Sequence, residues 1–310
     1  MFTLTTPVAF IIFNRPDTTA RVFAEIAQAK PPKLLVVGDG PRTNRAGEAE
    51  RVAQTRAIID QVDWPCEVLT NFSDDNMGCR KRVSSGIDWI FQQVEEAIIL
   101  EDDCLPDPSF FQFCQEMLER YRDDQRIGMI SGDNFQFGRR YNQDSYYFSK
   151  FVHIWGWATW RNRWQTYDVD MTRWPQVRDQ GWLESLVIDA DEVPYWNRRF
   201  ERVYRGKIDT WDYQWVFANW VESRLSITPS VNLISNIGFG ADATHTTGLS
   251  PLANLPIEAM QFPLTHPLIR ARNVNADHIN DLHCFRTPHW KRLPVRLVRK
   301  LYRMVSKYAG

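Results

Sequence analysis

Short apolar runs alternate with longer stretches of helical periodicity over residues 1–100 of this 310-residue chain. The apolar runs predict strands buried on both faces at Val8–Phe13, Lys33–Val37 and Ala97–Leu100, and Cys66–Thr70 predicts a further short strand. Between them, apolar side chains recur with helical spacing and predict helices over Pro16–Ala29, Gly47–Val62 and Cys79–Val94. This alternation is typical of an α/β fold with a mostly parallel sheet flanked by helices.

The pattern changes after residue 127. Ile127–Ser131 predicts one more strand, and the stretch that follows is irregular and rich in aromatic residues. Ten of the thirteen tryptophans lie between Trp155 and Trp220. We therefore expect two halves of one domain, 1–127 and 128–286, followed by a separate segment at 287–310.

Charge and cysteine content narrow the class of protein. The formal net charge is −1, which does not indicate a nucleic-acid partner. The five cysteines show no metal-binding or CxxC spacing, so we expect a reducing, cytoplasmic compartment. No signal peptide and no apolar run of membrane-spanning length is predicted.

The segment from Pro288 to Gly310 predicts a basic amphipathic helix. Leu297, Leu301 and Tyr308 share one face, and Lys and Arg residues flank it. Such a helix suits an anionic membrane surface, so we expect a peripheral contact at the inner face of the membrane. The alternative is a solvated helix that packs on the domain.

Polar clusters follow three of the predicted strands: Asn14-Arg15, Asp39 to Arg42, and Glu101-Asp102-Asp103. In parallel sheets, ligands bind at the carboxyl ends of the strands, where these clusters would meet. Three adjacent carboxylates are costly to bury, and a divalent cation offsets that cost. Oxygen ligands of this kind suit Mg²⁺ or Mn²⁺. The alternative is a solvated acidic loop, with Asp107 capping the next helix.

The segment from Ile98 to Phe111 resembles the GT-A fold glycosyltransferases. Within that fold it is similar to the inverting N-acetylglucosaminyltransferase I type and to bacterial family-2-like enzymes, through Glu-Asp-Asp followed by a Pro-Asp-Pro-Ser-Phe-Phe helix start. The resemblance implies a GT-A (Rossmann-like) sheet, with residues 1–127 binding a nucleotide-sugar and 128–286 binding the acceptor. It also implies that Asp103 coordinates the metal and that Glu101 and Asp102 contact the sugar and ribose.

The same resemblance implies roles for five further positions. Asn14 and Arg15 would grip the nucleotide, and Asp39 would bond to the base. Arg80 would contact phosphate near a helix N-terminus, a place that favours anions. His245 would contact the diphosphate or the metal. For Arg15, Arg80 and His245 the alternative is simple surface exposure.

Inverting transfer needs a carboxylate that acts as general base toward the acceptor hydroxyl. The segment Asp209–Trp215 resembles a Trp-Asp-Asp-Trp segment that holds the base in that family. Asp212 is the candidate base and Asp209 the reserve, whereas the alternative for Asp212 is a helix cap. Aromatic rings pack on sugar faces, so Trp155, Trp157 and Trp211 are candidate acceptor residues, with core packing as their alternative.

These patterns together predict a metal-dependent glycosyltransferase. It would move a sugar from a nucleotide-sugar, UDP-linked by resemblance, to a hydroxyl of a glycan or lipid-linked acceptor, with inversion. Two alternatives stay open: a non-catalytic carbohydrate-binding or scaffold protein, and a sugar-nucleotidyltransferase. The latter normally has a Gly-rich, basic loop after the first strand, where this chain has Asn14-Arg15-Pro16.

Overall fold

Strands and helices alternate along the first third of the chain in the computed structural model, which describes residues 2–187, 192–239 and 252–286. The strands are β1 (Val8–Ile12), β2 (Lys33–Gly38), β3 (Glu67–Phe72) and β4 (Glu96–Glu101). The helices between them are α1 (Pro16–Ala29), α2 (Glu48–Ala57) and α3 (Gly78–Gln93). A 3₁₀ turn over Ile58–Gln61 extends α2. The predicted elements are confirmed, with shifts of one or two residues at their ends.

Shorter elements follow β4. The strands among the described residues are β5 (Cys104–Pro106), β6 (Ile127–Ser131), β7 (Tyr146–Ser149), β8 (Trp157–Trp160), β9 (Leu225–Pro229) and β10 (Ile234–Asn236). The helices are α4 (Ser109–Tyr121), α5 (Arg161–Trp164), α6 (Trp174–Asp179), α7 (Leu183–Leu186), α8 (Glu192–Tyr204), α9 (Asp212–Val221) and α10 (Val274–Asn280). A π-helical turn over Asp281–Arg286 follows α10.

One eight-stranded sheet joins the two halves, in the order β3-β2-β1-β4-β8-β6-β9-β7. β3, β2, β1 and β4 are parallel neighbours. β8 is antiparallel to both β4 and β6, and β7 is antiparallel to β9, whereas β6 and β9 are parallel. The fold is therefore α/β, with a mixed, mostly parallel sheet flanked by helices, as predicted. The carboxyl ends of β1, β2, β4, β6 and β9 all lie on one edge of this sheet.

Successive strand residues face opposite sides of the sheet, and each side carries its own core. Phe10 and Leu100 belong to one core, which also contains the apolar face of α4. Ala9 and Ile99 belong to the other, which contains most of the buried tryptophans. This two-sided burial explains why β1, β2 and β4 are continuously apolar. Within the described ranges, no helix combines the length and apolarity that crossing a membrane requires.

Candidate functional site

The acidic run lies at the carboxyl end of β4 and contacts the loop after β1. Asp102 accepts a hydrogen bond from the Phe13 backbone N–H through Oδ2, at 3.0 Å. Arg15 lies beside it, and its Nη1 is 2.6 Å from Asp103 Oδ2 and 3.5 Å from Asp102 Oδ1. The sheet thus brings the first and third predicted polar clusters together, as the sequence predicts.

Glu101 is the least compensated member of this run. Its Oε1 is buried and has no hydrogen-bond partner among the described residues. Burial raises the pKa of Glu101, and the charges of Asp103, Asp102 and Asp212 raise it further. Burial also raises the pKa of Asp102, which Arg15 partly opposes. One guanidinium therefore faces three carboxylates, and the site favours additional positive charge.

A second chain segment holds Asp103 in place. β10 pairs antiparallel with β5, which directly follows the acidic run. The segment after β10 then crosses Asp103: Ile237 N–H donates to the Asp103 carbonyl oxygen at 2.8 Å. Gly238 lies so close that a Cβ there would sit 2.1 Å from Asp103 Oδ2. Any side chain at position 238 would therefore displace the Asp103 carboxylate from its observed position.

The donor set fits a hard divalent cation that protein ligands surround only in part. The described residues contain no group of three metal-ligating side chains converged on one point. Asp103 and the unpartnered oxygen of Glu101 nevertheless supply carboxylate oxygen beside a surplus of negative charge. Mg²⁺ and Mn²⁺ typically use one or two carboxylates together with waters and phosphate oxygens. The residues present fit that mode of binding and not an all-protein cage.

Asn14 is fixed by a residue that the sequence did not single out. Its Nδ2 donates to Glu48 Oε1 at 2.9 Å, and Glu48 is fully buried. Arg42 bonds to the same carboxylate through its side chain and, at 2.7 Å, through its backbone N–H. These hydrogen bonds lower the pKa of Glu48 to about 2. Glu48 therefore ties the loop after β1 to the loop after β2.

Asp39 has its hydrogen-bonding capacity taken up by the protein. Its Oδ1 accepts from Gly40 and Met77 N–H, both at 2.9 Å. Its Oδ2 accepts from Asn76 Nδ2 at 3.0 Å and from Gly78 N–H at 3.1 Å. The expected bond from Asp39 to a nucleotide base does not fit this arrangement. The carboxylate instead shapes the turn that leads into α3.

Asp209 and Arg80 make contacts within the protein that the sequence did not predict. Asp209 accepts from Cys79 N–H at 3.2 Å and from Arg80 N–H at 3.1 Å, so its carboxylate caps the N-terminus of α3. That helix end is therefore not open to a phosphate. The Arg80 side chain turns away to the Val169 carbonyl, at 2.7 Å, and to Asp170. The structure corrects the phosphate contact expected of Arg80, whereas the role of Asp209 as reserve base stays a prediction.

Asp212 begins α9 and keeps one oxygen available. Its Oδ1 accepts from Thr210 Oγ1 and from Tyr213 N–H. Oδ2 has no hydrogen-bond partner in the part of the chain that the structure describes. The charge of Asp212 contributes to the raised pKa of Glu101, so the two carboxylates lie within electrostatic reach of each other. Asp212 is thus held within the first turn of α9 and is also a neighbour of the acidic run.

The candidate acceptor tryptophans divide into two groups. Trp157 and Trp211 are 0% and 2% exposed, and their rings stack on each other in the core. The expectation that they contact an acceptor does not fit this burial. Trp155 is only half-buried. Its ring packs edge-on against Phe239, next to Gly238 and Asp103, with a centroid distance of 5.6 Å.

Two expectations lie outside the described residues. His245 falls in the 240–251 gap, and the basic segment 288–310 lies after the last described residue.

Two features at the site were missed from the sequence. Glu48 lies within a predicted helix and looks like an ordinary acidic first-turn residue. Gly238 lies in a Gly-Phe-Gly loop. A buried acid beside a helix start and a glycine between apolar residues are too common to identify a site. Only the tertiary contacts give them meaning.

Similarity to known proteins is found among solved structures and not among sequences. No protein-family model matches the chain, and no curated protein sequence matches it. Among solved structures, the chain is similar to a UDP-glucose pyrophosphorylase complexed with UDP-glucose. The similarity has a TM-score of 0.40 and 10% sequence identity, and it covers 73% of this chain and 90% of that one. A likeness this distant does not identify the reaction.

Proposed function

We propose that the protein is a glycosyltransferase that takes a sugar from a nucleotide-sugar and transfers it, with inversion, to an acceptor hydroxyl. The observation that carries this proposal is the unpartnered, buried oxygen of Glu101 at the carboxyl edge of the sheet. It lies in a run of three carboxylates that a single arginine compensates, and the Asp212 charge acts on it. A divalent cation would supply the positive charge that this edge lacks, and it would at the same time bind the phosphate oxygens of a nucleotide ligand.

Asp103 would hold the cation, Mn²⁺ or Mg²⁺, with Glu101 as its neighbour. When bound, the metal would offset negative charge on the departing nucleoside diphosphate. Arg15 already reaches both Asp102 and Asp103, so its guanidinium is placed to contact an anionic group of the donor. Glu48 holds Asn14 through the amide Nδ2, and the Asn14 amide oxygen would accept from a hydroxyl or amide of the donor.

Asp212 would act as the general base. Its Oδ1 is fixed by Thr210 and Tyr213, and Oδ2 would take the proton of the acceptor hydroxyl. The oxygen that loses this proton then attacks the sugar carbon from the face opposite the leaving diphosphate, which inverts the configuration there. Trp155 would offer the acceptor an apolar ring face beside this path.

The donor is proposed to be UDP-linked, and the acceptor a glycan or a lipid-linked glycan. A membrane contact through 288–310 belongs to this proposal as an expectation only. A sugar-nucleotidyltransferase is less consistent with the site. α1 begins at Pro16 directly after Arg15, so no Gly-rich loop follows β1.

A thermal-shift screen of nucleotide-sugars, with and without Mn²⁺, tests the proposal. A matching donor is expected to raise the melting temperature only together with the metal, by mass action. With an acceptor added, the released product distinguishes the reactions: nucleoside diphosphate indicates glycosyl transfer, and pyrophosphate indicates nucleotidyl transfer. Stabilisation by free sugars alone would indicate a carbohydrate-binding protein and contradict the proposal.

A further inference from the structure

Asp133 is a buried acid without a cationic partner at the same edge of the sheet. It follows β6 by two residues and is 1% exposed. No ion pair to Asp133 occurs among the described residues. A buried, isolated carboxylate is costly, whereas a neutral carboxylic acid is much less so.

The contacts around Asp133 can be checked for whether each has a proton to share. Its Oδ2 accepts from the Trp155 backbone N–H at 3.1 Å. Its Oδ1 lies 2.8 Å from Ser131 Oγ. The Ser131 Oγ atom also lies 3.0 Å from the His153 carbonyl oxygen. Ser131 has a single hydroxyl proton, so with an ionised Asp133 only one of its two contacts is a full hydrogen bond.

All three contacts are satisfied if Asp133 carries a proton. Asp133 then donates from Oδ1 to Ser131 Oγ, and Ser131 donates to the His153 carbonyl. Trp155 N–H donates to the remaining Asp133 oxygen. Each contact in this chain has one proton and one acceptor.

We propose that Asp133 is a protonated positioning residue, which joins the end of β6 to the segment that carries Trp155. The inference rests on the proposed function only for the role of Trp155, which would offer its ring to the acceptor. The segment is close to the site: Gly156 packs on Leu100, the residue before Glu101, where a Cβ would lie 3.2 Å from its Cδ2. Trp155 also packs on Phe135, with a centroid distance of 5.3 Å.

The surroundings of Asp133 favour the neutral form. Burial raises the pKa of Asp133 to about 7. Titratable side chains on the segments packed against it are few among the described residues. His153 is one, and burial lowers its pKa to about 3, so it is uncharged. Asp107, before α4, is bonded to Ser109. Neither provides a positive charge that would ionise Asp133.

Asp133→Asn tests this assignment because an amide reproduces the neutral pattern. Its Nδ2 donates to Ser131 and its oxygen accepts from Trp155 N–H. Thermal unfolding of the wild type and the variant is compared in metal-free buffer from about pH 5.5 to about pH 8. The wild type holds its proton in the folded state more firmly than in the unfolded state, so its stability falls as pH rises through the folded pKa. The melting temperature of the variant relative to the wild type is expected to rise by several degrees over that interval.

Deuterium exchange at the Trp155 amide, corrected for the intrinsic rate, provides a second measurement on the folded protein. Its protection is expected to fall with rising pH in the wild type and to stay constant in Asp133→Asn. A pH-independent difference in melting temperature, or a variant less stable than the wild type at about pH 8, overturns the assignment.

Transfer activity separates this inference from the proposed function. The transfer rate of the wild type is expected to decline above about pH 7, as Asp133 loses its proton. The variant is expected to match the wild-type rate at about pH 6.5 and to show no such decline. A loss of transfer at all pH values with an intact fold would make Asp133 a participant in the chemistry and overturn the positioning role. If neither protein transfers sugar, the proposed function fails while the stability difference still decides the protonation of Asp133.

Discussion

Arg15 donates from Nη1 to Asp103 Oδ2 at 2.6 Å, joining two residues 88 positions apart in the sequence. The guanidinium lies against the carboxylate that is proposed to hold the cation. Both side chains are mostly buried, 20% and 15% exposed. In the ligand-free protein, Arg15 therefore provides positive charge that a bound cation would otherwise provide.

Replacing Arg15 with Gln is expected to destabilise the metal-free protein by about 1–3 kcal/mol, because three carboxylates lose their counter-charge. The same change removes a competitor for Asp103, so Mn²⁺ alone should stabilise the variant more than the wild type. Urea unfolding with and without Mn²⁺ measures both effects. Arg126→Gln, at a surface ion pair with Asp124, is the matched control and should leave the stability nearly unchanged, because solvent screens an exposed pair. Equal stability of both variants would contradict the account.

Gly238→Ala is expected to displace the Asp103 carboxylate, because the added Cβ would lie 2.1 Å from Oδ2. A misplacement of this size should reduce transfer about 100-fold while the fold is retained. Donor binding in Mn²⁺, followed by calorimetry, should weaken in parallel. Gly181→Ala is the control for backbone strain without a clash: nothing lies within 4 Å of its Cβ position, but its φ of +69° disfavours alanine, so it should lower stability and leave turnover per folded molecule unchanged. Unchanged turnover in Gly238→Ala would show that transfer does not depend on the observed position of the Asp103 carboxylate.

Asp212→Asn is expected to lower transfer by about 100-fold or more and to leave donor affinity unchanged, because an amide cannot accept the acceptor proton. Turnover and donor titration on the same preparation separate the two quantities. Retained turnover would remove Asp212 from the chemistry.

Asp209→Asn provides the contrast, because Asp209 caps α3. We expect it to cost about 1 kcal/mol of stability, with turnover per folded molecule unchanged. Denaturant midpoints and specific activity test this. A loss of turnover at full stability would instead assign Asp209 a catalytic role.

Glu48→Gln is expected to destabilise the protein at neutral pH by about 1–3 kcal/mol, since buried Glu48 bonds to both Arg42 and Asn14. The folded pKa of Glu48 is about 2, below its ordinary value of 4.5. Its stabilisation is therefore present above about pH 4.5 and is lost as pH falls toward 2. The difference between wild type and variant should shrink over that interval. Glu67→Gln, at the more exposed pair with Lys33, serves as the control. A constant difference would show that the Glu48 charge is not the cause.

The sheet and its functional edge were predictable because burial on both faces leaves a direct mark on the sequence. β1, β2 and β4 are continuously apolar, and each ends in a polar cluster. Since parallel strands share an edge, Arg15 and Asp103 were expected to meet, and they do.

Residue roles that depend on distant contacts were not predictable. Asp209 caps a helix whose N–H groups lie 130 and 129 positions away. Asp39 is used by the turn before α3. Nothing local distinguishes such an acid from one that binds a ligand. Tryptophan spacing likewise does not distinguish a ring buried in the core, such as Trp157, from a half-buried ring such as Trp155.

The central claim is a donor site centred on Asp103. Its most direct test is turnover of a nucleotide-sugar in Mn²⁺ by the wild type and by Asp103→Asn, with release of nucleoside diphosphate as the measured product. We predict metal-dependent release by the wild type and a loss of about 100-fold or more in the variant, together with weakened donor binding. Equal donor binding and equal turnover in the two proteins would contradict the account.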